Sequence, residues 1–407
     1  MIPEGWEHTD LGSLSSAPIT YGVVKPGPSD DEDGVLFVRG GDFPDGRINP
    51  ARLRTITKEV SDQYRRTKLK GGEVLISLVG YPGACAVVPS ELAGANIARQ
   101  TAIIRPKKDV STSFLVTYLR SPLGQAKLLS NVIGSAQQVI NLKDLRNVSV
   151  PLPPVGERRA IADVSETWDG AIETVEALIA NARAQKQALM QQLLCGKHRL
   201  PGFSGEWQRK SIDEISTRVT RRNDGTELPI LTISSMSGFV RQDEKYSRYM
   251  AGKSVETYIM LNEGEFAYNK GNSKTYEFGC IFDLEGYARA LVPHVYVCFK
   301  LKKGYSHRFY KALFEADYLA PQLGRLVNTG VRNNGLLNIK PSEFLGTKVP
   351  VPPIDEQDAI AAVMEAASRT VVEHETQLAA LRQEKAALMQ QLLTGKRRVK
   401  LPENEVA

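Results

Sequence analysis

The side chains in this sequence that are best suited to chemistry are basic, and they cluster in two stretches. Residues 39–70 contain nine Arg or Lys side chains, and residues 218–253 contain seven. Both stretches also hold turn-forming residues, which tend to place side chains on exposed loops. Because guanidinium and ammonium groups neutralise phosphates, such clusters favour a polyanionic partner such as DNA over a merely solvated surface.

A loop between Tyr268 and Tyr276 adds polar side chains to the second cluster. Its Lys, Asn, Ser and Thr residues are types that contact phosphates and base edges, and Gly271 allows close approach to the backbone. In the first cluster, Arg39 at the end of a predicted strand could equally pair with Asp42. We predict DNA contacts at the following residues: Arg39, Arg65, Arg66, Lys68, Arg221, Arg222, Asn269, Lys270, Asn272, Lys274 and Tyr276.

The sequence contains no recognisable catalytic or metal-binding pattern. Its four cysteines form no C-x-x-C pair and have no histidine at ligand spacing. No phosphate-binding loop and no G-x-G-x-x-G follow a predicted strand. The triplet Asp243-Glu244-Lys245 resembles part of a nuclease site, but one such triplet is expected by chance in a chain of this length. We therefore predict no catalytic residue, no metal and no cofactor.

The composition is that of an ordinary globular protein. The chain has 407 residues, of which 42% are hydrophobic and 24% charged, with a net charge of 52 − 46 = +6. This length predicts two or three folded units. Neither a signal peptide nor an apolar run of membrane-spanning length is apparent, so we expect a soluble cytoplasmic protein without a membrane partner.

An internal repeat organises the whole chain. The motif ALMQQLL occurs at 188–194 and again at 387–393, an offset of 199 residues. At the same offset, PLPPVGE from Pro151 matches PVPPIDE from Pro350. Seven consecutive identities at matched positions are not expected by chance, so the chain is a tandem duplication. Each copy has a long variable segment followed by a shorter repeated segment.

Each repeated segment predicts one long helix. Apolar positions alternate at spacings of four and three residues, which is typical of a coiled coil, and Gly196 and Gly395 are suited to end the helices. A helix of about 40 residues is about 60 Å long, which exceeds the core of one neighbouring domain. The predicted seam consists of Ile161, Trp168, Ile172, Val175, Ile179, Leu189, Leu193, Ile360, Val371, Leu378, Leu381, Leu388 and Leu392.

The variable segments show short β-rich runs followed by helical patterns, which indicates an α+β fold in each. Because a complete domain separates the two long helices, the second can return beside the first. We therefore predict an antiparallel coiled coil with pseudo-twofold symmetry that separates and joins two tandem domains. The predicted boundaries are 1–152 and 198–351 for the domains, 153–197 for the first spacer helix, and 352–407 for the second spacer helix and tail.

This arrangement resembles the specificity (S) subunit of type I restriction-modification systems over essentially the whole chain. The specific part of the likeness is the P-x-P-P-x-x-E helix that ends in A-L-M-Q-Q-L-L-x-G-K. VRGGDF, GGEVLIS and VIGSAQQVINLKDL resemble target-recognition domains mainly in texture. The second copy departs from this pattern, with TGVRNNGLLNIK where the first has IGSAQQVINLK.

The resemblance implies a DNA-binding specificity subunit that is not itself an enzyme. Each target-recognition domain would bind one half of a bipartite, asymmetric site in double-stranded DNA, and the helices would set the spacing and dock methyltransferase subunits. The implied partners are two modification subunits, which carry an S-adenosylmethionine-dependent adenine methyltransferase site, and restriction subunits, which carry a nuclease and translocase.

Two other functions stay open at this stage. A non-catalytic coiled-coil adaptor would assemble other proteins without reading DNA, and it would need no basic loops. An enzyme that acts alone would need a cofactor or metal site. Methylation by the isolated chain would favour the enzyme, and failure to bind any duplex with its partners present would favour the adaptor.

Overall fold

The computed structural model divides the chain into two units. The first unit joins Met1–Glu176 to Thr376–Ala407, and the second unit is Ala177–Glu375. Two long helices cross these boundaries, so each unit contains part of both. The structure describes residues 3–27, 33–130, 138–245, 252–271, 273–327 and 337–400.

The first unit contains both strands and helices. Its strands are β1 (Glu7–Asp10), β2 (Thr20–Tyr21), β3 (Val35–Val38), β4 (Arg54–Ile56), β5 (Val74–Ser77), β6 (Cys85–Val87), β7 (Asn96–Ile97), β8 (Thr101–Ile104) and β9 (Ser149–Leu152). Its helices are α1 (Lys58–Gln63), α2 (Thr112–Arg120), α3 (Pro122–Leu129), α4 (Leu142–Arg146), the first part of α5 (Val155–Leu193) and the last part of α11 (Ile354–Leu393).

The core of the first unit is a four-stranded sheet in the order β2-β8-β5-β6. Every residue of β5 and β8 is buried, because Val-Leu-Ile-Ser and Thr-Ala-Ile-Ile place apolar or small side chains on both faces. A second sheet has the order β4-β3-β7, and β1 pairs antiparallel with β9.

The second unit also contains both strands and helices. Its strands are β10 (Gln208–Ser211), β11 (Ser216–Val219), β12 (Leu231–Ser234), β13 (Gly238–Arg241), β14 (Ile259–Asn262), β15 (Phe266–Asn269), β16 (Cys280–Asp283), β17 (Arg289–Val292), β18 (Val297–Leu301) and β19 (Lys348–Val351). Its helices are the last part of α5, α6 (Ile212–Ile215), α7 (Gln242–Lys245), α8 (His307–Glu315), α9 (Ala320–Leu326), α10 (Pro341–Leu345) and the first part of α11 (Ile354–Leu393).

The two units share the topology of their main sheet and of their terminal strand pair, whereas the first has the sheet β4-β3-β7 where the second has the pairs β12-β13 and β14-β17. The sheet β11-β18-β15-β16 matches β2-β8-β5-β6 strand for strand, and β10 pairs with β19 as β1 pairs with β9. Equivalent helices begin at equivalent caps, since Ser111 accepts a hydrogen bond from the Phe114 amide in α2 and Ser306 accepts one from the Phe309 amide in α8. The duplication found in the sequence is therefore present in the fold.

The long helices α5 and α11 occupy the two repeated segments. All the residues of the predicted seam are buried or half-buried, whereas most positions around them are exposed. In the first unit, Lys385 pairs with Asp169 at 2.6 Å and Arg382 pairs with Glu176 at 2.7 Å. Because one number rises as the other falls, these helix segments run antiparallel. In the second unit, Arg183 of α5 pairs with Glu375 of α11 at 2.5 Å.

In the first unit, the buried side chain of Glu157, at the start of α5, binds Trp6 and Arg398. Trp6 Nε1 donates to Glu157 Oε2 at 3.1 Å, and Arg398 Nε donates to Glu157 Oε1 at 2.7 Å. The side chain of Glu157 is 3% exposed, so its charge is held by Arg398 and its remaining oxygen by the indole. Gly395, which follows α11 with φ of 65°, places its Cα hydrogen against Pro3 and Trp6, where a Cβ would lie 2.3 Å from Pro3.

The second unit contains the same junction. Trp207 Nε1 donates to Glu356 Oε2 at 3.0 Å, and Arg199 Nε donates to Glu356 Oε1 at 2.5 Å. Arg199 also lies over the Trp207 ring, with its guanidinium carbon 5.3 Å from the ring centroid. Gly196 follows α5 with φ of 72° beside the same ring. Each unit therefore has one Trp–Glu–Arg junction, defined as Trp6, Glu157 and Arg398 or Trp207, Glu356 and Arg199.

Asp317, just after α8 in the second unit, is a partly buried carboxyl group whose ionised form is unfavourable. Its backbone has φ of 53°, in the left-handed region, and burial raises the pKa of its carboxyl to about 6. The negative end of α8 also disfavours an anion there. A carboxyl with a raised pKa stabilises the fold only while protonated, so this stability is lost as pH rises from about 4 to about 6.

We expect Asp317→Asn to raise the free energy of unfolding by about 1 kcal/mol at pH 7, allowing for the partial exposure of the side chain. Asparagine removes the charge and tolerates the left-handed backbone. At pH 4 the variant and the wild type should melt together. Thermal melts at both values test this, and an equal gain at pH 4 and 7 would show that the charge is not the cause.

Candidate nucleic-acid interface

A basic turn lies at one end of the main sheet of the first unit. Residues 65–67 form one turn of 3₁₀ helix, and the side chains of Arg65 and Arg66 are exposed. Arg105, which follows β8, holds this turn by donating to the carbonyls of Arg66 and Lys68 at 3.0 and 2.9 Å. Lys68 pairs with Asp62 at 2.7 Å, so Arg65 and Arg66 are better placed to contact phosphate.

Arg39 makes the pair with Asp42 that the sequence left open. Its Nε and Nη2 donate to the two carboxylate oxygens at 3.2 and 2.7 Å, and its backbone amide donates to Asp42 Oδ2 at 2.8 Å. The side chain of Arg39 is 38% exposed, so the pair fixes the guanidinium plane at the surface. A guanidinium held in this way can face a base edge with little loss of rotamer freedom.

The structure does not bring the predicted basic residues of the first unit together. Ser77 of β5 lies opposite Thr101 of β8, and Val74 lies opposite Ile104. The Arg39 turn lies against Ser77, because a Cβ on Gly40 would be 2.5 Å from Ser77 Oγ. The turn containing Arg65 and Arg66 is bound by Arg105, beyond Ile104, and therefore lies toward the other end of the sheet.

In the second unit, Arg221 and Arg222 have different environments. Arg221 Nη2 pairs with Glu265, whose side chain is only 1% exposed. Removing this cation would leave a buried carboxylate uncompensated, so the geometry gives Arg221 a structural role. Arg222 is exposed, and only its backbone bridges to the neighbouring Ile259.

The loop that follows β15 is held by its own polar groups. Asn269 Oδ1 accepts a hydrogen bond from the Gly271 amide at 3.0 Å, and the Lys270 carbonyl accepts one from Leu337 at 3.0 Å. The Ser273 amide donates to the Tyr276 carbonyl at 2.9 Å, which closes a turn with Lys274 exposed at its tip. The predicted contact Asn272 lies outside the described residues.

Tyr276 supports this loop from inside. Its ring packs edge-on against Phe282 with centroids 6.0 Å apart, and its hydroxyl donates to the Glu315 carbonyl at 3.4 Å. Burial raises the pKa of this hydroxyl to about 12. Tyr276 therefore helps to position the loop.

Two exposed apolar side chains were not among the predicted contacts. Tyr81, in the loop between β5 and β6, is 55% exposed, and Met236, in the turn between β12 and β13, is 88% exposed. Sequence reasoning missed them because neither is charged. The available signal was a large apolar residue inside a turn, as in Gly-Tyr-Pro-Gly and Ser-Met-Ser-Gly.

The described residues contain neither a metal-binding cluster nor a helix that could span a membrane. In the part of the chain that the structure describes, no group of three or more His, Cys, Asp or Glu side chains could hold a metal ion. Within the same residues, no helix combines the length and apolarity needed to cross a membrane.

Comparison with known proteins finds similarity to type I restriction specificity proteins. Residues 3–182 match the family described as type I restriction modification DNA specificity domain. The chain is 34% identical over 219 residues to the type I restriction enzyme EcoBI specificity subunit of Escherichia coli, a match covering 53% of this chain. The chain thus spans about half of that relative, 46% of its length.

Two further comparisons extend over nearly the whole chain. The putative type I restriction enzyme MjaX specificity subunit of Methanocaldococcus jannaschii is 23% identical over 98% of this chain and 95% of its own length. A chain from a solved structure on complex assembly and conformational transition of the type I R-M system superposes with a TM-score of 0.59. It covers 98% of this chain and 100% of its own length at 17% identity, which shows a shared fold.

Proposed function

We propose that this chain is a type I restriction-modification specificity subunit and that it recognises a bipartite and asymmetric DNA sequence. One observation carries the proposal. The two units share the strand order of their main sheets and the same Trp–Glu–Arg junction, yet they carry different side chains on equivalent loops. Two readers with one scaffold and different surfaces suit a target whose halves differ in sequence.

In this proposal, α5 and α11 form an antiparallel coiled coil that sets the distance between two target-recognition domains. The domains are 1–152 and 198–351, and the spacer segments are 153–197 and 352–407. The antiparallel ion pairs inside the first unit and the buried seam positions in both helices support this arrangement. A pseudo-twofold relation between the two copies is part of this proposal.

The partners would supply the catalysis. Two modification subunits would bring the adenine methyltransferase site, restriction subunits would bring the nuclease and translocase, and the assembly would act in the cytoplasm. This chain would contribute recognition without a cofactor of its own. The adaptor alternative lacks a specific observation in its favour, since it gives no role to Arg65, Arg66 or Lys274.

The test is to co-express the chain with its modification subunits and map methylated adenines in DNA. We expect one motif with two dissimilar halves and a fixed gap. Methylation without sequence preference, in an assembled complex, would favour the adaptor. Methylation by the purified chain with S-adenosylmethionine alone would favour an independent enzyme.

The loop after β15 can be tested through the salt dependence of DNA binding. Lys270→Ala with Lys274→Ala should weaken DNA binding by the assembled complex and reduce the slope of log affinity against log salt by about two, one for each lysine. Lys303→Ala is the matched control. Lys303 is exposed, as Lys274 is, but it follows β18 at the opposite end of the sheet, because Tyr268 lies opposite Val297 and Phe266 opposite Phe299.

Binding at several salt concentrations gives both slopes. If the double variant keeps the wild-type slope, the loop does not face the phosphate backbone. If Lys303→Ala changes the slope as much, the interface extends to the other end of the sheet.

A further inference from the structure

Equivalent pairs of loops converge in the two units. The loop joining β5 to β6 corresponds to the loop joining β15 to β16, because the strand orders match. The turn after β3 likewise corresponds to the turn after β12, since β3 pairs antiparallel with β4 and parallel with β7, while β12 pairs antiparallel with β13 and the preceding Ile230 bridges in parallel to Leu291 of β17. We define the first loop pair as residues 39–42 with 78–84, and the second loop pair as residues 235–237 with 273–279.

The first loop pair forms one continuous surface. Arg39, Asp42, Gly80 and Gln100 line the same shallow depression. A Cβ on Gly41 would lie 3.9 Å from the Tyr81 ring, so the exposed tyrosine stands directly beside the VRGGDF turn. The glycines on both loops leave room for a ligand to approach the backbone.

The second loop pair converges in the same way. Ser235, Met236, Tyr276 and Phe282 line one cavity. A Cβ on Gly238 would lie 3.5 Å from Phe282, which itself packs against the Tyr276 ring. The exposed Met236 and the exposed Lys274 therefore belong to two loops that are braced on the same aromatic pair.

Each loop pair combines an exposed apolar side chain with a cation: Tyr81 with Arg39, and Met236 with Lys274. Arginine donates hydrogen bonds to the O6 and N7 atoms of guanine, and lysine contacts guanine or phosphate. Apolar side chains contact the thymine methyl group or the face of a base. A cation alone would bind any phosphate. The added apolar group gives each loop pair a means to distinguish bases.

We propose that these two loop pairs are the specificity-determining surfaces, the first for one half-site and the second for the other. The proposal rests on the proposed function, and it assigns that function to particular residues. Arg39 is the base-reading cation of the first pair, held in plane by Asp42 as a positioning residue. Arg65 and Arg66, at the other end of the sheet, contact only the backbone of the DNA.

The test uses the complex with its modification subunits and maps the methylated motif for several variants. Arg39→Lys keeps the charge but loses the planar fork, so we expect about tenfold weaker discrimination at one base position of one half-site with an unchanged salt slope. Asp42→Asn should relax the same position. Tyr81→Ala should relax the same half-site, and Met236→Ala should relax only the other.

The matched control is Arg65→Ala with Arg66→Ala. This pair should weaken binding of all sequences about equally and leave the motif unchanged. Melting temperatures equal to that of the wild type would separate recognition from folding, and they are expected for Tyr81→Ala, Met236→Ala and the Arg65 and Arg66 control because these side chains are exposed.

The outcomes distinguish this inference from the proposed function. If the wild-type complex produces no bipartite motif, the proposed function fails. If the wild type does produce one but Arg39→Lys and Met236→Ala leave it unchanged, only the loop assignment is overturned. The assignment is also overturned if either variant alters both half-sites, or if the Arg65 and Arg66 control changes the motif.

Discussion

Glu157→Ala is expected to lower the free energy of unfolding of the first unit by about 2–4 kcal/mol. The substitution leaves the Arg398 guanidinium without the carboxylate it meets at 2.7 Å, and the Trp6 indole without its acceptor at 3.1 Å. It also opens a cavity at a site that is nearly inaccessible to solvent. The loss is large because the three groups come from the N-terminal strand region, the start of α5 and the segment after α11.

Urea denaturation of the variant and the wild type measures this difference. Glu7→Ala is the control, because Glu7 lies on the neighbouring strand β1 with its side chain exposed and should change stability by less than about 0.5 kcal/mol. Glu157→Gln should fall between the two, since the amide oxygen can still accept from Trp6 but the charge opposite Arg398 is lost. Equal stability of Glu157→Ala and the wild type would remove the junction's structural role.

Glu356→Ala tests whether the junction of the second unit contributes as much to the free energy of unfolding as that of the first. Glu356 is fully buried and receives hydrogen bonds from both Arg199 and Trp207. A comparable loss in the second unit would follow from the same contacts. The two losses should add, because the variants act on separate units with no shared partner.

The long helices and the duplication were predictable from the sequence, because both are local or strictly periodic signals. Gly196 and Gly395 do end the helices with positive φ, as expected from their position after the last apolar residue. The Trp–Glu–Arg junction was not predictable. Its first member, Trp6, lies 151 residues from Glu157, and Arg398 lies a further 241 residues along the chain.

The partners of the basic residues were likewise predictable only where they lie close in sequence. Asp42 was a foreseeable partner of Arg39 because it lies three residues away. Glu265 was not a foreseeable partner of Arg221, since 44 residues separate them and only the sheet brings them together. Spacing alone could not separate a cation that compensates a buried carboxylate from one that faces solvent.

A second variant is expected to change the DNA target itself. Duplicating residues 176–179 in α5 and 379–382 in α11 adds one helical turn to each helix at the same level. That level lies between the Arg382–Glu176 and Arg183–Glu375 ion pairs, so both native pairs remain intact. Each helix lengthens by about 6 Å. If the helices separate the two readers, the gap between half-sites should grow by one or two base pairs at about 3.4 Å each.

The size of the insertion follows from two rotations. Four residues turn the apolar stripe by about 40°, which a coiled coil accommodates as a local change in winding, and the duplicated Ile179 and Leu381 continue the seam. Each added base pair rotates the second half-site by about 34° around the DNA axis, so a longer insertion would turn it away from its reader. A one-residue insertion in each helix is the control. It turns the stripe by about 100° and should lower stability sharply without producing a new gap.

Mapping methylated adenines with the modification subunits present decides the matter. The half-site sequences should be unchanged, because the loop pairs that are proposed to recognise them are untouched by the insertion. A wider gap with the same half-sites supports helices that measure distance along DNA. The original gap in a stably folded variant would mean that the modification subunits, and not α5 and α11, fix the spacing.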